Sequence, residues 1–280
     1  MITPSSSSSP LPAHQTKHIH QLEYPFRTAC FHLSQLDNGL TNGTALWLGA
    51  QCLSLYLADI FASKIKPSNL PRARQTVIEL GSGIGLTSLA MAFLGFDVLA
   101  TDLPDVVDSV LSANVGRNTA NFPMESGSVQ VRTLDWTVPP ENWSWSHPSC
   151  ITTTSAEPPQ SSTSAGVTPL LVPPFHLIIT SDTVYSATLI TPFLRTVHAL
   201  SALSINASPS KHAPPVYVCL ERRDPALIDR MLSEAKEAWH FSVERIPHKK
   251  VQKAMKKGDV AWDKADWEGV EIWKLVLQNT

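Results

Sequence analysis

The chain has 280 residues, of which 43% are hydrophobic and 16% charged, and its formal net charge is −2. This length allows one large domain with a sizeable core or two small domains. The near-neutral charge disfavours a general nucleic-acid binder, which usually carries a basic patch. The four cysteines form no Cys-x-x-Cys pair, so we expect reduced thiols in a cytoplasmic protein, with the nucleus as the alternative.

The N-terminal residues 1–20 are rich in Ser and Pro and are predicted to form a disordered tail. They lack a basic stretch followed by an apolar core, so no secretory signal is expected. No apolar run reaches the length needed to cross a bilayer, and no membrane association is predicted. His14, His18 and His20 lie close together, but a flexible polar tail explains them better than a metal site does, and we predict no metal.

The rest of the chain, residues 21–280, is predicted to form a single α/β domain, because apolar strand-like runs alternate with helical patterns. The predicted order is an edge strand or hairpin at 24–36, a helix at 48–65, a strand at 77–80, a helix at 86–94, a strand at 97–101, a helix at 104–118, a strand at 129–134, a strand at 175–180, a helix at 187–203, a strand at 216–220, a helix at 225–239, and a final antiparallel hairpin at 241–246 and 270–277.

Two segments interrupt this pattern. Residues 139–174 hold three Pro-Pro pairs and many Ser and Thr, and are predicted to be a disordered surface insertion. Residues 249–257 carry five lysines and are expected to be a solvated loop, with docking of an acidic protein or RNA as the alternative interpretation.

The first predicted strand ends in a loop with glycine at every second position: Gly81, Gly83 and Gly85. Such a loop at the carboxyl end of a strand can form the floor of a ligand site. The third glycine comes one position too early for a dinucleotide fingerprint. Glu79, just before the loop, would repel a pyrophosphate and would suit a cationic ligand.

Further candidate residues follow the next strands. Asp102 ends the second strand, where a carboxylate can accept hydrogen bonds from both hydroxyls of a ribose; the alternative is a cap for the following helix. Asp135 and Trp136 follow the third strand, where an acid and an indole can face an adenine, although a loop pair without a role is the alternative. Trp47, at the start of a helix, is either a core aromatic or a wall of the same pocket.

Five motifs occur in order: Leu46-Trp47, Glu79 to Gly85, Thr101-Asp102-Leu103, Leu134-Asp135-Trp136, and Asp182-Thr183-Val184-Tyr185. Together they resemble the non-histone protein-lysine methyltransferases of the seven-strand class, the DxxY group or methyltransferase family 16. The resemblance covers residues 24–277 except the insertion. It implies a Rossmann-like seven-strand methyltransferase sheet with helices on both faces and a final antiparallel hairpin.

The resemblance also implies the cofactor, S-adenosyl-L-methionine (SAM), and a set of site residues. Asp182 and Tyr185 are the expected catalytic residues at the entry for the target lysine, although an N-cap and a core aromatic are the alternatives. The expected cofactor-binding residues, including those of the glycine and Asp-Trp motifs, are Trp47, Glu79, Gly81, Ser82, Gly83, Gly85, Asp102, Asp135, Trp136 and Ser181.

The implied reaction is methyl transfer to the ε-amine of a lysine, which must first lose its proton because an ammonium has no lone pair. The implied partner is a protein substrate, with elongation factor 1A, another translation factor or a chaperone as candidates, and we expect a monomer without stable nucleic-acid binding. Three alternatives remain: a methyltransferase acting on RNA or a small molecule, a non-catalytic scaffold, and a nicotinamide-dependent enzyme.

Overall fold

The computed structural model describes residues 9–36, 42–61, 74–151 and 169–278. The strands are β1 (Gln21–Phe26), β2 (Ala29–Ser34), β3 (Thr76–Leu80), β4 (Asp97–Asp102), β5 (Val129–Thr133), β6 (Leu177–Ser181), β7 (Val216–Glu221), β8 (Phe241–Arg245) and β9 (Val270–Leu277). The helices are α1 (Leu48–Phe61), α2 (Leu86–Phe93), α3 (Pro104–Val106), α4 (Ser112–Thr119), α5 (Ala187–Ala207), α6 (Pro225–Glu237) and α7 (His248–Lys257). A π-helical turn, Val107–Leu111, joins α3 to α4.

Seven strands form one mixed sheet in the order β5-β4-β3-β6-β7-β9-β8. The first five are parallel, and β9 runs antiparallel between β7 and β8. This confirms the predicted Rossmann-like seven-strand sheet and its final antiparallel pair. The strand order reverses between β3 and β6, which is where open α/β sheets bind ligands.

The central strands are mostly apolar because helices cover both faces of the sheet. In β3, Val77, Ile78 and Leu80 are fully buried. Helices α1, α2 and α7 pack on one face, and α5 and α6 pack on the other. The sheet therefore serves as a rigid base, and the loops after its parallel strands meet at one edge.

Helix α5 is long and apolar enough to cross a bilayer by length and composition, which differs from the sequence expectation. Ile190, Phe193, Leu194 and Val197 on this helix are nevertheless fully buried in the core against the sheet. Its apolar character is therefore that of a core helix in this fold.

The predicted N-terminal tail is ordered in its described part, residues 9–20, which we call the N-terminal strap. Ala13 and Thr16 are buried, and Gln51 of α1 binds the strap twice. The backbone N–H of Ala13 donates to Gln51 Oε1 at 2.8 Å, and Gln51 Nε2 donates to the carbonyl oxygen of Leu11 at 2.9 Å. A Ser/Pro-rich composition predicts disorder, but buried side chains and the hydrogen bonds of Gln51 fix the backbone in the described residues 9–20. Residues 1–8 lie outside the described part of the chain.

The predicted insertion at 139–174 is also partly ordered. Residues 139–151 fold back along β5, where the N–H of Ile151 donates to the carbonyl oxygen of Thr133 at 2.9 Å. Ile151 is fully buried, and Trp143 and Trp145 pack on the same core. Residues 169–174 are likewise described, while 152–168 lie outside the described residues. Apolar anchors therefore hold the start of a segment whose Pro and Ser content predicted disorder.

The lysine-rich run is a helix, not a solvated loop. In α7, Val251, Ala254 and Met255 are buried against the α1 side of the core. Their spacing places them on one helical face, and the lysines occupy the other. The high charge of the run concealed this apolar stripe at the sequence level.

Candidate active site

A cavity of about 730 Å³ opens at the carboxyl edge of the sheet, at the switch point between β3 and β6. It brings together the loops after β3, β4, β5, β6 and β7 with the start of α1. The predicted site residues that line it are Trp47, Gly81, Ser82, Gly83, Asp102, Asp135, Trp136, Ser181, Asp182 and Tyr185.

The glycine loop closes the floor of the cavity in a conformation that favours glycine. Gly81 and Gly83 have φ angles of 67° and 54°. A Cβ on Gly81 would lie 2.5 Å from Thr183 Cγ2, so the absent side chain lets the loop pass beneath the β6 loop. Ser82 fixes the turn, because its N–H donates to Thr101 O at 2.9 Å and its Oγ accepts from Thr101 N–H at 3.0 Å.

The predicted residues Glu79 and Gly85 do not line the cavity. Glu79 is buried beneath the loop, where the hydroxyl of Ser88 on α2 donates to its carboxylate. This burial raises the pKa of Glu79 to about 7. Gly85 caps α2 with φ 91°, and a Cβ there would meet Leu111, away from the cavity. Both residues lie behind the loop, outside the cavity lining, and they support the loop conformation.

Asp102 is held in one orientation by two backbone donors. The N–H of Gly83 donates to Oδ2 and the N–H of Leu103 donates to Oδ1, each at 2.8 Å. Burial raises the pKa of this carboxyl to about 6, with the two hydrogen bonds opposing the shift. Leu103, not Asp102, occupies the N-cap position of α3. The carboxylate is thus fixed at the cavity wall.

Asp135 and Trp136 form the wall after β5. The Oδ1 of Asp135 accepts from the N–H and the hydroxyl of Thr137 at 2.8 and 2.7 Å, which fixes a tight turn. The Trp136 ring lies 5.6 Å from the Phe193 ring, and its carbonyl oxygen accepts from Arg195 at 2.8 Å. The indole lies between the Phe193 ring of the core and the cavity, where it can face a ligand.

Asp182 ties three elements together at the other end of the cavity. Its Oδ2 accepts from the N–H of Gly49 in α1 at 2.6 Å, and its Oδ1 accepts from the N–H of Glu221 in β7 at 3.0 Å. Asp182 itself adopts a left-handed backbone conformation with φ 52°. Burial raises the pKa of its carboxyl to about 6. It is not the N-cap of α5, since Ser186 has that role.

Tyr185 stands at the mouth of the cavity with 59% of its surface exposed. The side chain is therefore open to an incoming molecule and is not a core aromatic. Ser181 lies at the end of β6 in the cavity lining. Together with Asp182, these residues place the DxxY motif at the open end of the site.

Trp47 is half-buried at the rim, where its Nε1 donates to the carbonyl oxygen of Asn42 at 2.5 Å. Two cations lie close to its ring: Lys17 Nζ at 4.2 Å and Arg223 Cζ at 4.9 Å from the centroid. Arg223 also lines the cavity, and so does Glu221, which pairs with it. Sequence reasoning missed both, although the end of β7 is at the same sheet edge and its charged run was the available signal.

The charge of the lining is uneven. Among the described residues that line the cavity, Arg223 is the only arginine or lysine. The acidic residues of the lining are Asp102, Asp105, Asp135, Asp182, Glu221 and Asp224. Such a surface attracts cationic ligands and repels phosphates. In the described part of the chain, no cluster of His, Cys, Asp and Glu could hold a metal ion.

Comparison with known families and proteins gives matches over part of the chain. Residues 32–148 match a family model described as lysine methyltransferase. The protein-lysine N-methyltransferase rrg1 of Schizosaccharomyces pombe is 32% identical over 127 residues, covering 42% of this chain and 33% of that protein. The protein-lysine methyltransferase METTL21E of Bos taurus is 35% identical over 96 residues, covering 34% of this chain and 30% of that protein. The aligned part of the chain thus spans about a third of the length of these relatives.

Solved structures give weaker matches. The N-terminal domain of human METTL16 in complex with SAH aligns with a TM-score of 0.47 and 8% identity, covering 89% of this chain and 76% of that one. The SAM-bound magnesium protoporphyrin IX methyltransferase of Synechocystis aligns with a TM-score of 0.43 and 13% identity, covering 82% and 80%. By the family model, residues 32–148 of this chain match the lysine methyltransferase family, and in the structure they lie within the Rossmann-like seven-stranded domain.

Proposed function

We propose that this chain is a SAM-dependent protein-lysine N-methyltransferase. The observation that carries the proposal is the acidic cavity at the switch point, where the glycine loop, Asp102, Trp136 and the DxxY motif meet. Both ligands of such an enzyme are cationic: SAM carries a sulfonium and an ammonium, and the acceptor is a lysine. The matched family and the relatives described as protein-lysine methyltransferases support this function.

The residues at the glycine-loop end fit SAM. The fixed carboxylate of Asp102 suits the two ribose hydroxyls, because its two oxygens keep free lone pairs beside the backbone hydrogen bonds. Trp136 and Asp135 would hold the adenine by ring contact and by accepting from its amine. Trp47 and Ser181 would line the remaining part of the pocket. When bound, SAM supplies an electrophilic methyl group.

The DxxY end is proposed to receive the acceptor lysine. Tyr185 is exposed at the mouth, where its hydroxyl can hydrogen-bond the incoming amine. Asp182 provides negative charge beside it, while its bonds to Gly49 and Glu221 hold the walls in place. We propose that the Asp182 carboxylate attracts and orients the ammonium of the acceptor lysine, and that the proton of this ammonium leaves to water. Holding amine and methyl in line supplies much of the rate, up to about 7–11 kcal/mol in model systems.

The same charge distribution disfavours the alternatives. A nicotinamide dinucleotide or an RNA would bring phosphates to a cavity with six carboxylates and a single arginine among its described lining. A non-catalytic scaffold would not need a fixed carboxylate and an indole at the edge of an open pocket.

Within this function we propose a non-histone acceptor protein, with a translation elongation factor as the first to test and a chaperone as the second. The support for this narrower proposal is the resemblance of the five motifs. Cytoplasmic localisation, with the nucleus as the alternative, and a monomeric state stay predictions.

The proposal is tested by incubating the protein with tritiated SAM and an extract from cells that lack it. We expect label in one or a few protein bands that protease removes and ribonuclease does not. Label that ribonuclease removes would indicate RNA as the acceptor instead of a protein lysine, and label confined to small molecules would indicate a small-molecule acceptor. An Asp102→Asn variant is the negative control, with Asp108→Asn, an exposed residue outside the cavity lining, as its matched control.

A further inference from the structure

The strongest unexplained feature outside the proposed chemistry is the N-terminal strap, which brings a lysine to the mouth of the cavity. Lys17 Nζ lies 4.2 Å from the centroid of the Trp47 ring. Trp47 lines the cavity and stands two residues before Gly49, the partner of Asp182. Lys17 is not itself among the described residues that line the cavity, but its ammonium lies at the cavity rim beside Trp47.

The strap is docked firmly enough to hold Lys17 there. Thr16, the preceding residue, is fully buried, and its carbonyl oxygen accepts from Gln35 Nε2. The carbonyl oxygen of Ile19 accepts from the same Gln35 Nε2 at 2.7 Å. At the other end of the strap, Trp262 Nε1 donates to the carbonyl oxygen of Pro10. The backbone on both sides of Lys17 is thus fixed, while its side chain is free to turn about a flexible four-carbon stem.

Lys17 is not held in an ion pair by the described residues. Among the described residues, no carboxylate lies within ion-pair distance of its ammonium, and Arg223, which shares the Trp47 ring, has Glu221 as its own partner. The contact of Lys17 with the indole is a cation–π interaction, and a second cation, Arg223, lies near the same ring. Such a contact is weak enough for Lys17 to leave it readily. A lysine attached to the enzyme by a short segment has an effective concentration of the order of millimolar, well above that of most free protein substrates.

We propose that Lys17 is a self-methylation site of this chain, presented to the cavity by the N-terminal strap. This inference rests on the proposed function. In the step, the neutral ε-amine forms a C–N bond with the methyl carbon of SAM as the C–S bond breaks. The sulfur keeps the electron pair of that bond. The proton that the Lys17 ammonium must lose before the attack goes to solvent. Lys17 then also competes with protein substrates for the mouth of the site.

The test combines peptide mass spectrometry with a measurement that needs no SAM. Purified full-length protein incubated with SAM is expected to gain methyl groups at Lys17, with a rate constant that is unchanged on 50-fold dilution. Lys17→Arg abolishes this modification, and Lys211→Arg, which changes an exposed lysine bonded to Asn206 O, does not. Ala13→Glu, which places a charge at a buried strap position, is expected to slow modification of Lys17 at least tenfold.

The SAM-free measurement is NMR of protein whose lysines have been reductively labelled with ¹³C-methyl groups. We expect one signal shifted upfield by the Trp47 ring, lost in Lys17→Arg and moved to the ordinary position in Ala13→Glu. An unshifted Lys17 signal, a rate that falls on dilution, or an unchanged rate in Ala13→Glu would each overturn presentation by the strap.

The failure of this inference is distinguishable from failure of the proposed function. Methylation of extract proteins without any at Lys17 overturns self-methylation and leaves the proposed function standing. Absence of methyl groups from every protein overturns both.

Discussion

The carboxylate of Asp182 accepts a hydrogen bond of 2.6 Å from the backbone N–H of Gly49, which joins the end of β6 to the start of α1. A residue with a side chain would not fit at position 49, since a Cβ there would lie 2.5 Å from Asp182 Oδ2. The two residues therefore define the geometry of the proposed acceptor end. Asp182 has a structural role in addition to any contact with the acceptor.

Replacement of Asp182 by Ala is predicted to lower stability as well as activity. It leaves the N–H groups of Gly49 and Glu221 without their acceptor, at roughly 1–3 kcal/mol each. Chemical denaturation of the variant measures the loss, and calorimetry with SAM measures binding at the other end of the cavity.

Tyr185→Phe is the matched control, because the exposed tyrosine has no comparable structural contact in the described residues. We expect its stability to stay within about 0.5 kcal/mol of the wild type while methyl transfer falls. If Asp182→Ala unfolded with the same free energy as the wild type, the structural role of this carboxylate would be contradicted.

Asp102→Asn is predicted to weaken SAM binding at least tenfold, or by about 1.4 kcal/mol. The amide nitrogen would face backbone N–H donors or the ribose hydroxyls, and one negative charge of the acidic cavity would be lost. Because the pKa of Asp102 is raised to about 6, binding by the wild type should also weaken as pH falls through 6. Calorimetry at pH 5 and pH 8 measures both effects; equal affinity at the two values would argue against a role for the ionised carboxylate.

Glu79 is predicted to make stability depend on pH. Its pKa is about 7 in the folded chain against the ordinary value of 4.5 for a glutamate in water, so between these values the folded state holds a proton that the unfolded state has released. The free energy of unfolding therefore falls as pH rises through this window, by up to about 1.4 kcal/mol per pH unit.

Glu79→Gln removes this titration while leaving an acceptor for Ser88, so its denaturation midpoint should vary less between pH 5 and pH 8 than that of the wild type. The burial of Asp102 and Asp182 adds a contribution of the same sign below pH 6, which the variant retains. Glu125→Gln, at an exposed position, should keep the wild-type profile.

Gly81→Ala is predicted to destabilise the domain by about 1–3 kcal/mol, because φ is 67° and the new Cβ would meet Thr183 Cγ2. Thr183→Ser removes that methyl group and keeps the hydroxyl that bonds Thr180. In the double variant the steric part of the loss should be recovered, giving a coupling of at least 0.5 kcal/mol in denaturation experiments. Strict additivity would show that backbone strain alone requires the glycine.

The sequence alone predicts the sheet and most of the site, because strand patterns and edge motifs are local signals. The glycine loop, Asp102 and Trp136 each follow a strand directly, and parallel strands bring such positions to one edge. The acidic balance of the cavity also follows once the loops are placed there.

The contacts of single residues could not be predicted in the same way. Asp182 binds Gly49 and Glu221, which are 133 and 39 positions away in sequence. Glu79 resembled a cofactor ligand by its motif, but the direction of its side chain within β3 turns it towards Ser88.

Composition was the least reliable guide. Ser and Pro content predicted disorder for the N-terminal strap, whereas buried Ala13 and Thr16, together with hydrogen bonds from Gln51 and Gln35, anchor it. The lysine run of α7 looked solvated, although Val251, Ala254 and Met255 recur at helical spacing within it. In both segments a few buried side chains outweighed the average character of the sequence.

The most direct test of the central proposal is the chemical identity of the methylated product. Extract proteins labelled with tritiated SAM and this chain are hydrolysed to amino acids and separated beside standards. The account predicts radioactivity in ε-N-methylated lysine, lost with the Asp102→Asn variant and kept with Asp108→Asn. Radioactivity in methylated arginine or histidine, in RNA, or in no macromolecule would contradict it.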